Sequence, residues 1–72
     1  MHPATQHLLD QFRFDHLPDH LQVVSKHFHD LAHDLVNALG EGPELSVALR
    51  KLLESKDCAV RQAVSDAQPK ES

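Results

Sequence analysis

The sequence has no tryptophan, no tyrosine and a single cysteine, Cys58, in 72 residues. One thiol excludes an intramolecular disulfide, and a lone cysteine fits a reducing cytoplasm better than a secreted scaffold. No run is long and apolar enough to span a membrane. The opening "MHPATQHLLDQF" has no charged n-region followed by an apolar block, so it does not read as a signal peptide. Positive charge is also scarce: the formal net charge is −4 with seven neutral histidines. Partial protonation of those histidines near pH 6 moves the chain toward neutrality. A duplex nucleic-acid binder would show a basic patch, which argues against that class. A small anion held by a few converging cations stays open. Internal repeats and low-complexity segments are absent. A domain this small is marginal alone, and without disulfides it relies on a metal, close helix packing or self-association.

What is present is helical periodicity. Leu17, Leu21, Val24, Phe28, Leu31, Leu35 and Ala38 are spaced 4, 3, 4, 3, 4, 3, a heptad seam. Pro18 and Asp19 suit its first turn. Leu45, Leu49, Leu52, Ala59 and Ala63 continue the spacing in a second segment, with Lys56 in one apolar slot. Between them lies "GEGP", Gly40 to Pro43. Gly40 suits a left-handed C′ position, while Pro43 and Glu44 suit the start of the next helix. The expected fold is all-α: an antiparallel helical hairpin over 17–68, with helices at about 17–39 and 43–67, preceded by an N-terminal segment, 1–16, that is a short helix or loop. The polar tail "AQPKES" is expected to fray.

Leu53, Val60, Val64 and Ala67 lie beside the second seam, and Val23 and Val36 lie off the first. A two-helix hairpin cannot cover this surplus. It implies assembly into a homo-oligomeric helical bundle. A second solution folds the N-terminal segment back as a third helix, with Leu8, Leu9 and Phe12 covering part of it.

The conspicuous chemistry is "SKHFHDLAHD", Ser25 to Asp34. His29 and His33, four apart, can reach one zinc or nickel ion. The ligand set is incomplete: Asp30 is expected to rotate away from the pair, and Cys58 is on the other helix. His33 falls nearly opposite the seam, so an exposed polar face is the simpler reading, and no metal site is assigned. His16, His20 and His27 flank the seam. The chain is too short and ligand-poor for an HD-type phosphohydrolase, and nothing supports Cys58 as a nucleophile. The chain is read as not an enzyme, with no cofactor.

Among the cations, Arg50–Glu54 and Asp57–Arg61 have the spacing of surface ion pairs. Lys56 interrupts the apolar stripe, so it must snorkel, pair with Asp15 or Asp19, or face a ligand. Phe12, Arg13, Phe14 and His16 place rings beside cationic groups, an arrangement able to stack on a base, although such phenylalanines more often plug a hairpin core.

"FDHLP" (Phe14 to Pro18), "HDLAHDLV" (His29 to Val36) and "ELSVALRKLLESKDCAV" (Glu44 to Val60), joined by a Gly/Pro connection, resemble the small helical-hairpin family of phage anti-CBASS and Thoeris-antagonist nucleotide sponges. The resemblance spans about residues 12 to 63 in short, degenerate matches. It implies a symmetric oligomer, often a hexamer, in the cytoplasm of an infected bacterial host. It further implies sequestration, without cleavage, of a cyclic di- or trinucleotide or a cyclic ADP-ribose-type signal between subunits. On that resemblance Phe14 and His16 would contact a base, Lys26, Arg50, Lys51 and Arg61 would contact phosphate, and His29 would be a secondary contact. Family members carry Trp or Tyr near the lead-in or late in the second helix. Here a phenylalanine or histidine would have to stack instead. The alternative is a small helical oligomer that docks on a protein partner and takes no small ligand.

Overall fold

The structure, a computed structural model, describes residues 1–68; positions 69–72, most of the tail expected to fray, lie outside the described residues. Three helices follow one another: α1 (Pro3–Asp10), α2 (Asp19–Ala38) and α3 (Pro43–Ala67), with no strand among the described residues. The four-residue link after α2 turns the chain back, so α2 and α3 form the antiparallel hairpin.

α3 starts where Pro43 supplies a preset backbone and Glu44 an acidic first turn. The end of α2 differs from expectation. No glycine among the described residues has a positive φ, and the helix terminates through an extended Leu39 whose N–H donates to the Leu35 carbonyl. Gly40 is therefore not a left-handed cap. The chain leaves α2 extended, a conformation that needs no glycine.

The N-terminal segment takes the folded-back solution. Thr5, Leu8, Leu9 and Phe12 repeat at helical spacing and are buried, Phe12 completely. Leu8, Leu9 and Phe12 form one core with Ala32, Leu45 and Leu49, against which Phe28, Leu35, Val36, Leu52 and Leu53 pack. His2 caps α1, its Nδ1 accepting from the Ala4 N–H at 3.1 Å, and Pro3 opens the helix. Both ends of α1 are tied to the hairpin. The His2 N–H donates to both Glu41 carboxylate oxygens at 2.9 and 3.0 Å, and Lys56 Nζ donates to the Gln11 carbonyl at 2.7 Å. A carboxylate thus meets the positive end of the helix and an ammonium the negative end. Lys56 takes neither Asp15 nor Asp19; it snorkels past the Phe12 ring, 6.0 Å from its centroid, to a backbone acceptor.

This third helix shifts the seam of α2. The buried residues are Leu21, Ser25 and Ala32, whereas Leu31 is 45% exposed and Ala38 is exposed. The heptad reading of Leu31 and Ala38 as seam positions is corrected: the buried face is rotated by less than one residue step toward Ser25 and Ala32. Two causes act together. Leu8, Leu9 and Phe12 share the core with Ala32, and Ser25 and Ala32 are small enough to be buried completely.

Candidate functional site

The candidate surface is a ledge on α2 built against the α1–α2 connection. That connection is held in a defined shape. Leu17 N–H donates to the Phe14 carbonyl at 3.1 Å, and Gln22 Nε2 reaches back to the carbonyls of Leu17 at 2.7 Å and Asp15 at 3.5 Å. Phe14 is thereby laid on α2, its ring edge-on to His29 at a centroid distance of 5.0 Å and an interplanar angle of 75°. Such a T-shaped contact is a favourable aromatic geometry. One turn further, the His33 ring lies 4.4 Å from His29, tilted by 46°. His33 is half-buried rather than opposite the packed face, because the rotation of α2 brings positions 29 and 33 toward the α1 side.

Charge continues the ledge. His29 Nδ1 lies 3.1 Å from Asp30 Oδ1, and Lys26 Nζ donates to Asp30 Oδ2 at 2.7 Å. Asp30 does not complete a ligand set with His29 and His33; its carboxylate instead bends back along the helix to bridge His29 and Lys26. The hydrogen bond from Lys26, then that from His29, hold the Asp30 carboxyl below its ordinary value. Arg13, 3.4 Å from Asp15, does the same for that carboxylate. Among the described residues no group of three or more His, Cys, Asp or Glu side chains is placed to hold a metal ion.

Three of the seven residues singled out from the sequence, Phe14, His29 and Lys26, thus fall in one contiguous row, with Asp30 as the link. His16 is exposed in the connection, two residues beyond Phe14. Arg50, Lys51 and Arg61 lie apart from the ledge along α3, all exposed. The expected Arg50–Glu54 pair is replaced by Lys51–Glu54 at 3.8 Å, since positions three and four apart are equally close neighbours of Glu54. In place of an Asp57 pair, Arg61 Nη2 reaches Cys58 Sγ at 3.3 Å.

Arg61 also borders a groove of about 260 Å³ with Leu17, Lys56, Asp57 and Val60. The groove exists because α1, eight residues and about 12 Å long, ends before the far half of α3. A second cleft, of about 250 Å³, lies at the other end between His2, Thr5, Glu41 and Ser46. Both are below the ~300–1,000 Å³ usual for ligand pockets.

Sequence reasoning missed Asp30 as a bridge and Glu41 as a clamp. The first was signalled by the i, i+4 spacing of Lys26 and Asp30. The second had no local signal, because its partner is 39 positions away. Comparison with protein-family models, with curated proteins and with solved structures returns no match for this chain.

Proposed function

We propose that this protein is a non-catalytic binding protein that sequesters an anionic cyclic nucleotide signal, a cyclic di- or trinucleotide or a cyclic ADP-ribose-type molecule, as a phage anti-defence factor in the host cytoplasm. The observation that carries this reading is the row Phe14–His29–Asp30–Lys26: ring faces and edges able to stack on a base, ending in an ammonium able to reach a phosphate. The sequence resemblance to nucleotide sponges, carried in part by the same residues, points the same way.

The ledge of one chain is open, and Arg50, Lys51 and Arg61 are too scattered to converge on one ligand within it. A homo-oligomer, a hexamer by the resemblance, would bring cations of several chains together and wall in the ledge. The apolar side chains left on the surface supply a reason to assemble: Val23, Leu31, Val47 and Val64 are all exposed large hydrophobics. The same side chains support the second reading, docking on a protein partner without a small ligand.

Calorimetric titration with cyclic dinucleotides, cyclic trinucleotides and cyclic ADP-ribose isomers, alongside light scattering, tests the proposal. The expected result is an oligomer that binds at least one of these and releases it chemically intact on denaturation. An oligomer that gives no heat with any of them moves the assignment to the protein-docking reading. Release of a hydrolysed product would overturn the non-catalytic part.

A further inference from the structure

Asp30 stands in an unusual position for a site that would accept an anion. Both of its oxygens are engaged, Oδ2 by the Lys26 ammonium at 2.7 Å and Oδ1 by the His29 ring at 3.1 Å. A helical ion pair is more stabilising with the acid N-terminal to the base, the orientation that the helix dipole favours. Here Lys26 precedes Asp30, and the pair gains nothing from the dipole. What the arrangement does achieve is to hold one ammonium and one imidazole around a single pair of acceptor oxygens, the contact pattern of a phosphate group.

We infer that Asp30 is the resident counter-anion of the ledge, occupying between Lys26 and His29 the place a ligand phosphate takes and swinging aside when the ligand binds. The inference rests on the nucleotide-binding reading and deepens it by naming the residue that sets the site's selectivity. The exchange is feasible on the geometry. The Asp30 side chain is 50% exposed, so its carboxylate can rotate into water, and an exposed, solvent-screened ion pair of this kind contributes little to stability. A phosphodiester offers Lys26 and His29 equivalent charge-assisted bonds, while the attached base adds stacking on the Phe14 and His29 rings. A simple anion such as acetate or chloride offers no more than Asp30 already does. Asp30 thus favours ligands that couple phosphate to an aromatic base.

The test is calorimetry of wild type and Asp30→Asn with cyclic di-adenylate, cyclic di-guanylate, cyclic tri-adenylate and the cyclic ADP-ribose isomers at low and high salt. Asp66→Asn makes the same charge change at the far end of α3, where the carboxylate accepts from Gln62. Removing the competing charge is expected to tighten binding roughly two- to five-fold, the scale of an exposed pair, with the gain shrinking as salt rises. Asp66→Asn is expected to bind as wild type does. Asp30→Ser, which also removes the charge, repeats the measurement should the asparagine perturb the helix. If wild type binds but the Asp30 variants bind equally or more weakly, or if Asp66→Asn gives the same gain, this inference fails and the nucleotide reading stands. If no probe binds to any of these proteins, both fail.

Discussion

Ser25 carries the only buried side-chain oxygen without a hydrogen-bond partner among the described residues, and it is fully shielded from solvent at the packed face of α2. Its small volume suits a fully buried position; its hydroxyl does not. Desolvating an unpaired hydroxyl is unfavourable, and serine is a weaker helix former than alanine. Ser25→Ala should therefore raise stability by about 1 kcal/mol, read as a higher denaturant midpoint at unchanged slope. A loss of stability would show that the hydroxyl finds a partner in solution. Acid titration probes two other residues. The carboxyls of Asp15 and Asp30 are held below their ordinary value of 3.8, so each contributes stability that is present above that pH and disappears as pH falls through the lowered folded value. Denaturation midpoints followed from pH 5 to 2.5 should fall less steeply in the double variant Asp15→Asn/Asp30→Asn than in wild type. Parallel curves would mean that neither pairing persists in solution.

The elements differ in how far each was legible. α3 is written locally: Pro43 and Glu44 start it, and its apolar spacing runs through Ala63. Lys56 stands out in that stripe, but its partner, the Gln11 carbonyl, is 45 positions away and beyond any window of sequence. α1 is legible only as an alternative. The spacing of Thr5, Leu8, Leu9 and Phe12 is helical, yet eight residues are too few to hold a helix in water, so the segment depends on docking. Phe12 is the test of that dependence. Deleting its fully buried ring should cost about 3–5 kcal/mol, enough to detach α1 or unfold a domain of this size. Thermal unfolding of Phe12→Ala followed by circular dichroism measures it; a midpoint within a few degrees of wild type would show α1 to be dispensable. Gly40 illustrates the opposite error. A glycine after a helix suggests a left-handed cap, but the choice between that and an extended exit is made by where α3 must go, which local chemistry does not encode.

At the scale of the molecule the chain is elongated, 49 × 20 × 17 Å, with a radius of gyration of 13.9 Å against about 11 Å for a compact domain of this length. The short α1 covers one end of the hairpin and leaves the flanks around Leu31 and Val64 open. The homo-oligomer proposed above would bury surface of this kind. Leu31, displaced from the core by the rotation of α2, is the most direct probe. Leu31→Glu should lower the mass seen by light scattering at micromolar concentration while leaving helical content intact. A wild-type monomer at that concentration would remove the basis for a shared pocket. An unchanged oligomer in the variant would move the interface to another flank.

The sequence by itself determined the helical class, the hairpin and the residue types available for binding, because spacing, helix starts and charge are properties of neighbouring residues. Tertiary structure alone decided which face of α2 is buried, that α1 is clamped between Glu41 and Lys56, and that Phe14, His29, Asp30 and Lys26 form one row. Those outcomes depend on a third helix competing for apolar surface and on contacts between residues far apart in the chain. A seam read for two helices therefore comes out rotated once the third has docked.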